Sequence, residues 1–324
     1  MTRALITGVG GQDGRYLTGL LLADGYEVHG VVRESDDTGL DPRVVTHLAD
    51  LGDSDRLRQT VLDVEPDEIY NLAAISSVAL SWKQPLETAR VNGLSVAALL
   101  DAAQELSSGR DTGPRFVQAS SAEIFGQAEE SPQTERTPVR PVSPYGASKA
   151  YAHHLVGVYR ARGLFASSCI LYNHESPIRP AGFVTRKITQ GAARIARGLQ
   201  DELVLGNLDA RRDWGWAPDY ASALHLAATA GAPDDFVIAT GRTHSVRDFV
   251  AAAFGRAGVS DWEDRVRVSE EFSRPVDPTL QIGDATHARE VLGWHPTLSF
   301  EEIVGAMVDH DLSIIDGEAS RPGV

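Results

Sequence analysis

The sequence predicts an α/β fold: a doubly wound parallel sheet carrying a smaller α/β substrate-binding domain. Three observations lead there. Strand-like and helix-like segments alternate from Arg3 to Asn173, a glycine-spaced turn joins the first strand to the first helix, and the texture changes after Asn173.

The elements follow in order. "RALIT" reads as a buried strand, and "RYLTGLLLADG" places Leu17, Leu20 and Leu21 on one helical face before Gly25 stops it. "YEVHGVVR" is the second strand and "VVTHLAD", ending at Asp50, the third. "DSDRLRQTVLDV" has helical spacing. "DEIYNLAA" is a fourth strand and "SVAALLDAAQEL" a helix. "RFVQASS" is the fifth strand, "KAYAHHLVGVYRARG" a helix and "FASSCILYN" the sixth strand, with "DDFVIAT" a later seventh. Strands alternating with helices give a parallel sheet, and such sheets bind ligands at the carboxyl ends of their strands. Thr7, Arg33, Asp50, Ala74, Glu123 and Asn173 are therefore expected along one rim. "HESPIRPAGFVTRK" and "LGNLDARRDWGWAPDY" are rich in Gly, Pro and Arg, and elements from about residue 244 read as short and irregular. The expected division is 1–173 with about 212–243 for the dinucleotide-binding domain. Residues 174–211 and 244–324 are left for the smaller one.

Composition narrows the function. With 324 residues and 42% apolar content the chain is globular. A net charge of −15 excludes nonspecific nucleic-acid binding, and any anionic ligand needs a local cluster of cations. The single cysteine, Cys169, lies in an apolar run and reads as a core residue. It forms no internal disulfide, so a reducing, cytoplasmic compartment is expected. "MTRALITG" enters a strand pattern without a signal-peptide layout. No apolar run approaches the ~18–20 residues of a membrane span. "DGEASRPGV" reads as a frayed terminus.

"TGVGGQDG" follows the first strand and opens the first helix. Gly8, Gly11 and Gly14, with Gln12 and Asp13 between them, allow backbone to approach a pyrophosphate at a helix N-terminus. This is the Rossmann signature. The second strand ends in Val32 and Arg33, where NAD-preferring enzymes carry an acid for the ribose 2′-OH. Arg33 suits a 2′-phosphate and Glu34 opposes it, so NADP is favoured with NAD the alternative. The bland reading of Arg33 is a solvated turn residue. Asp50 reads equally as an acceptor for adenine or as a loop cap. Leu51, Leu72, Ala73 and Ala74 are further expected cofactor contacts, as are Tyr145 and Lys149, the lysine at the nicotinamide ribose.

"SPYGASKAYAHHL" starts a helix with Tyr145 and Lys149 four apart, on one face. An ammonium beside a phenol is expected to lower the phenol's pKa, so that Tyr145 takes a proton from an alcohol as hydride leaves the carbon. Together with "NLAA", "SSAE" and "LGWHP", this stretch resembles the extended short-chain dehydrogenases/reductases that act on nucleotide sugars. The resemblance implies that Ser121 binds the sugar O4 and that Tyr145 and Lys149 serve oxidation at C4. It also gives Glu123 a meaning. A C4 ketone acidifies the C5–H, and a carboxylate there removes that proton while O6 leaves as water. Epimerases and reductases do not need that second acid–base; dehydratases do.

The later stretches "LYNHESPIRPAGFVTRKI", "LGNLDARRDWGWAPDY" and "DDFVIATGRTHSVRDFV" resemble the GDP-mannose 4,6-dehydratases, as does "GQDGRYLTGLLLADGYEVHGVVR". The likeness covers almost the whole chain. It implies that Asn173, Lys187, Arg212, Arg274 and Asp277 hold a GDP-sugar, and that His174 and Arg179 touch the cofactor. "HES" is no ligand set, and no metal is expected. Trp214 and Trp216 read equally as packing or stacking residues. Departures from the family are informative. "RESDDTGLDPR" is short and acidic where members carry the segment that builds a tetramer, so a homodimer is expected. Ala122, Ile75, Ser77, Pro180, Val276 and Asp277 also replace usual family residues. The alternatives are the same dehydration on another GDP-hexose or GDP-heptose, a nucleotide-sugar epimerase or reductase, and a nonenzymatic dinucleotide sensor. Sensors often lose the tyrosine or lysine, and this chain has both.

Overall fold

The computed structural model describes residues 1–33, 39–109, 112–269 and 280–319. Its first part alternates as the periodicity requires: β1 (Arg3–Thr7), α1 (Gln12–Ala23), β2 (Glu27–Val32), β3 (Val45–Leu48), α2 (Ser54–Val64) and β4 (Glu68–Asn71). Next come α3 (Val78–Lys83), α4 (Pro85–Ala89), a π-turn at Arg90–Leu94, α5 (Ser95–Ser108), β5 (Arg115–Ser121), a 3₁₀ turn at Ala122–Ile124, α6 (Pro144–Ala161) and β6 (Ala166–Leu171). α5 shows why these are helices: Val96, Leu99, Leu100 and Ala103 are buried at a spacing that lines one face.

The second part contains β7 (Asn173–Glu175), α7 (Val184–Ala196), β8 (Leu203–Leu205), β9 (Arg211–Arg212), β10 (Trp214–Trp216), α8 (Ala217–Thr229) and β11 (Asp235–Ile238). It ends with β12 (His244–Ser245), α9 (Val246–Arg256), β13 (Val266–Val268), β14 (Leu280–Gln281), α10 (Thr286–Leu292) and α11 (Phe300–Ala319).

Seven strands form one parallel sheet in the order β11-β6-β5-β4-β1-β2-β3. The order reverses between β1 and β4, and a doubly wound sheet opens its ligand crevice there, outside the carboxyl ends of the strands. Two apolar layers cover the faces. One joins α1 and α8 through Leu17, Leu21, Tyr220 and Leu224, and it also takes Ala285, Ala288 and Trp294. The other joins α2, α5 and α6 through Leu57, Val61, Leu99, Leu100 and Val156.

A third apolar cluster joins α7, α9 and α11 around Trp214, Phe249 and Phe300. Trp214 is buried and meets Phe249 edge-on with ring centroids 5.3 Å apart, which makes it a packing residue. Across this cluster Arg186 of α7 lies 2.8 Å from Asp311 of α11, both buried. Two expectations need correction. The region after residue 244 is not uniformly short and irregular, because α11 runs 20 residues with Ile303, Val304, Met307 and Val308 buried at helical spacing. Of the stretch expected to be a frayed terminus, Asp316–Ala319 belong to that helix, and residues 320–324 lie outside the described residues. The sequence obscured this because "DGEAS" carries a glycine and charges that read as a stop.

Candidate active site

The crevice is built from the ends of β1, β4 and β5. Thr7 closes β1, and its hydroxyl donates to Asn71 Oδ1 at 2.6 Å while accepting from the Ala73 amide at 3.2 Å. Asn71 donates to Gln118 Oε1 at 2.8 Å, and Gln118 donates to the Ala119 carbonyl at 2.9 Å. The same carbonyl accepts from Lys149 Nζ at 2.8 Å. A buried chain of polar groups therefore runs from the glycine turn to the lysine.

The glycine turn fits a dinucleotide. Gly8 has φ +74°, and a Cβ there would stand 2.9 Å from the Ala73 Cα. Only glycine lets the β1–α1 turn close on the end of β4. The Gly11 amide donates to the Gly8 carbonyl at 3.0 Å, which tightens the turn before α1 begins. Leu72, Ala73 and Ala74 lie partly exposed opposite it. The Gln12 side chain is engaged with β7 and Ser176, which leaves its backbone for the expected cofactor contact. Its amide is 7% exposed, donates to the His174 carbonyl at 3.1 Å and accepts from Ser176 Oγ at 2.8 Å.

Asp13 Oδ1 and Oδ2 both lie 3.0 Å from His174 Nε2. Burial would raise the Asp13 carboxyl, but the His174 charge and hydrogen bond win and hold it below its ordinary value. Burial likewise opposes the His174 charge, and Asp13 overcomes it and raises the imidazole. Arg179 is half-buried, stacks its guanidinium 3.7 Å above Phe183 and pairs with Glu175 at 3.3 Å. Its charge is felt at Asp13, His174 and Tyr145.

Arg33 is exposed one residue past β2. Asp50 is exposed two residues past β3, and its carboxylate accepts from the Gly52 amide at 2.6 Å. That hydrogen bond is the loop cap, and Leu51 lies partly exposed beside it.

Ser143 caps α6, accepting from the Gly146 amide at 3.0 Å, and Pro144 sits in its first turn. A Cβ at Gly146 would stand 2.6 Å from the Glu123 carbonyl oxygen. Glycine therefore lets the first turn of α6 press against the 3₁₀ turn that carries Glu123. This brings Tyr145, Ser121 and Glu123 into one site. Glu123 is half-buried directly after the strand, and its amide donates to Ser121 Oγ at 3.3 Å. Burial pushes the Tyr145 phenol up to about 12; the Ser121 hydroxyl lowers it and the Glu123 charge raises it. This corrects the expected lowering by Lys149. The ammonium is turned to the Ala119 carbonyl, and burial dominates the phenol's environment.

Asn173 opens β7 and pairs with Trp214 of β10, two residues beyond the buried Arg212 of β9. Lys187 lies half-buried on α7, whose Thr185 donates to Glu175 Oε2 at 2.6 Å. Arg274 and Asp277 lie outside the described residues, as does Glu34. Among the described residues no group of three or more His, Cys, Asp or Glu side chains could hold a metal ion.

Three supports were missed in the sequence. Asn92, in the π-turn, accepts from the Ile75 amide at 2.8 Å and donates to the Ile75 carbonyl at 3.1 Å and to Ser148 Oγ at 3.2 Å. Ser148 in turn donates to the Tyr145 carbonyl at 2.7 Å. Ser81 accepts from the Tyr145 amide at 3.1 Å. A buried amide in the apolar run "RVNGLSV" was the available signal for Asn92.

A family model described as GDP-mannose 4,6 dehydratase matches residues 5–307. The GDP-mannose 4,6 dehydratase 2 of Arabidopsis thaliana is 46% identical over 332 residues, covering 97% of this chain and 88% of its own. The GDP-mannose 4,6 dehydratase of Homo sapiens is 42% identical over 343 residues, covering 96% and 92%. Among solved structures, the UDP-glucose 4-epimerase of Thermus thermophilus in complex with NAD superposes with a TM-score of 0.83 at 27% identity, over 96% of this chain and 99% of that one. RMD from Pseudomonas aeruginosa complexed with NADPH superposes at 0.79 with 23% identity, over 97% and 100%, a likeness of fold.

Burial also pushes the Lys149 ammonium down to about 8, with Asp13 pulling the other way. A lysine whose folded value lies below its unfolded one costs stability at low pH, and the cost fades as pH rises from the folded value to the unfolded one. Lys149→Met is therefore expected to be more stable than the unaltered protein at pH 7, on the order of 1–3 kcal/mol. That gain should shrink by pH 10. Urea denaturation at both pH values checks it, and a variant less stable at pH 7 sinks the assignment.

Proposed function

The chain belongs to the GDP-mannose 4,6-dehydratase family, and on that premise we propose that it converts GDP-mannose to GDP-4-keto-6-deoxymannose with loss of water. The observation that carries this reading is the meeting of Glu123 with Ser121 and Tyr145, close enough that the Glu123 charge acts on the phenol. An epimerase or a reductase needs no carboxylate there.

A nicotinamide cofactor, held by the Gly8–Gly14 turn and the Leu72–Ala74 strand end, would take hydride from C4 and later return it to C6. The chain's own groups do the proton work. Ser121 holds the sugar O4, and Tyr145 accepts the proton of the C4 hydroxyl. A buried phenol with a raised pKa is a reluctant base, so the step relies on the groups that lower it, the Ser121 hydroxyl and the Arg179 charge, to which a bound oxidised nicotinamide would add its own positive charge. Glu123 then removes the C5 proton, acidified by the C4 ketone, and a proton reaches O6 so that it departs as water. A proton returned to C5 completes the balance, and cofactor is regenerated without net consumption. Asn173, Lys187 and Arg212, with Arg274 and Asp277, are the proposed contacts for the GDP moiety, where cations and donors are needed against a diphosphate.

Arg33, exposed one residue past β2, is what favours NADP over NAD, because a cation there suits a ribose 2′-phosphate, while Glu34 beside it in the sequence opposes one. A homodimer is supported by an apolar surface. Leu86, Leu94, Tyr151 and Val158 are 86, 54, 46 and 54% exposed on the neighbouring elements α4, the π-turn and α6, more than scattered surface residues require.

Four measurements test these assignments. Mass spectrometry of GDP-mannose incubated with protein and a trace of NADP⁺ is expected to show loss of one water without net cofactor reduction. Glu123→Gln should lower dehydration by about 10²–10⁴-fold while reduced cofactor still forms at the C4 step. Full dehydration by that variant removes Glu123 from the mechanism. Arg33→Ala is expected to cut the preference for NADP⁺ over NAD⁺ by about tenfold or more in kcat/KM, the loss of a charged hydrogen bond to phosphate. An unchanged ratio returns Arg33 to the role of a solvated turn residue. Leu94→Glu combined with Tyr151→Glu should convert a dimer to a monomer in sedimentation, and an unaltered protein that is already monomeric overturns the dimer.

A further inference from the structure

Two side chains of the glycine turn are engaged away from its backbone. A turn that serves only a pyrophosphate uses backbone N–H groups and needs no particular side chains between its glycines. Here Gln12 spends both ends of its amide on β7 and the residue after it. Nε2 donates to the His174 carbonyl at 3.1 Å, and Oε1 accepts from Ser176 Oγ at 2.8 Å, with Ser176 fully buried. Asp13 grips the same strand through the His174 ring.

The protonation of that ring follows from its neighbours. Nδ1 lies 2.7 Å from the Tyr172 carbonyl, which can only accept, so Nδ1 carries a hydrogen. Nε2 faces both oxygens of the Asp13 carboxylate and donates as well. The ring is an imidazolium, stacked on Tyr220 with centroids 4.4 Å apart. It therefore neutralises a carboxylate that would otherwise stand as an unpaired charge beside the pyrophosphate turn. The other charged or titratable groups nearby are Arg179 with its partner Glu175, and Lys149 and the neutral phenol of Tyr145, both of which sense Asp13.

The gripped strand leads to the rest of the site. The Arg179 amide donates to the Ser176 carbonyl at 3.0 Å, and Glu175 holds Thr185 at the start of the helix that carries Lys187. Asn173 is the first residue of the same strand.

We propose that Gln12 and Ser176, with the Asp13–His174 ion pair, form a clasp that couples cofactor binding at the glycine turn to ordering of the Asn173–Arg179 segment. Gln12 and Ser176 are positioning residues: they act through the strand that presents Asn173, His174 and Arg179. The link to a sugar nucleotide rests on the function proposed above; the link to the cofactor does not.

Hydrogen–deuterium exchange with NADP⁺ alone as the probe reads the two segments separately. In the unaltered protein residues 8–14 and 172–179 both slow on addition of NADP⁺, the latter by at least about fivefold, in the range of ordinary coupling between sites. In Ser176→Ala, and separately in Gln12→Met, the glycine turn still slows but the response of 172–179 falls below about twofold, the loss of most of that coupling. The first change removes one hydroxyl and the second keeps the side-chain length, so two small alterations guard against misfolding. Undiminished protection of 172–179 in both variants overturns the clasp. So does an unaltered protein whose glycine turn slows while 172–179 does not. Titration with GDP, with and without saturating NADP⁺, supplies the second arm. GDP binding tightened by at least about fivefold in the unaltered protein, and not in the variants, extends the coupling to the substrate. Clasp-dependent protection in a protein that ignores GDP supports the clasp and sinks the nucleotide-sugar reading.

Discussion

The site depends on one buried line of hydrogen bonds across the ends of three central strands. Thr7, Asn71 and Gln118 are each no more than 1% exposed, and each satisfies the next. A hydrogen bond of this kind adds only about 1 kcal/mol net, but a buried polar group left without a partner costs about 1–3 kcal/mol. The line therefore acts less as glue than as a specification. It penalises any shift of β1, β4 or β5 past one another, and those are the strands whose ends carry the glycine turn, the Leu72–Ala74 wall and the Ser121–Glu123 turn. It ends on the Ala119 carbonyl, where it fixes the lysine as well.

The electrostatics of the crevice follow from how dry it is. Burial is the largest influence on Tyr145, Lys149, Asp13 and His174 alike. Only Asp13 and His174 overcome it, because they lie 3.0 Å apart and share a hydrogen bond. Tyr145 and Lys149 do not pair in this way, and both are pushed toward their neutral forms. Such groups are costly to keep in a folded core, and functional sites are where that cost is tolerated.

Much of this was legible in the sequence. The alternation of apolar runs gave the sheet, because its strands other than the exposed edge strand β3 are buried on both faces and its helices on one. The four-residue spacing of Tyr145 and Lys149 placed both on α6, and Glu123 fell just past β5 as the end of an apolar run requires. The electrostatic consequence of the pair was misjudged, because spacing along a helix says nothing about where an ammonium finds its acceptor. The place of Gln12 between glycines gives no sign that its side-chain amide turns to a strand 162 positions away. Asn92 was hidden because a buried amide that clamps backbone has no periodic pattern. α11 was underestimated because its glycine and acidic residues resemble a stop, while its packing against α7 and α9 overrides them.

The Arg186–Asp311 pair bears on how the molecule is made. A chain emerges from its amino end, and domains fold as units during synthesis. The strands that flank the crevice, β1, β4 and β5, are complete by Ser121. Arg186, by contrast, sits on a helix whose buried counter-charge is Asp311, 125 positions later. Until then the guanidinium has no Asp311 to meet it in the apolar cluster that α7 shares with α9 and α11. The cluster of α7, α9 and α11 thus reaches its final form only after Asp311 has been added. A message cut short before codon 311 would specify a nearly intact nucleotide crevice beside an arginine stripped of that counter-charge.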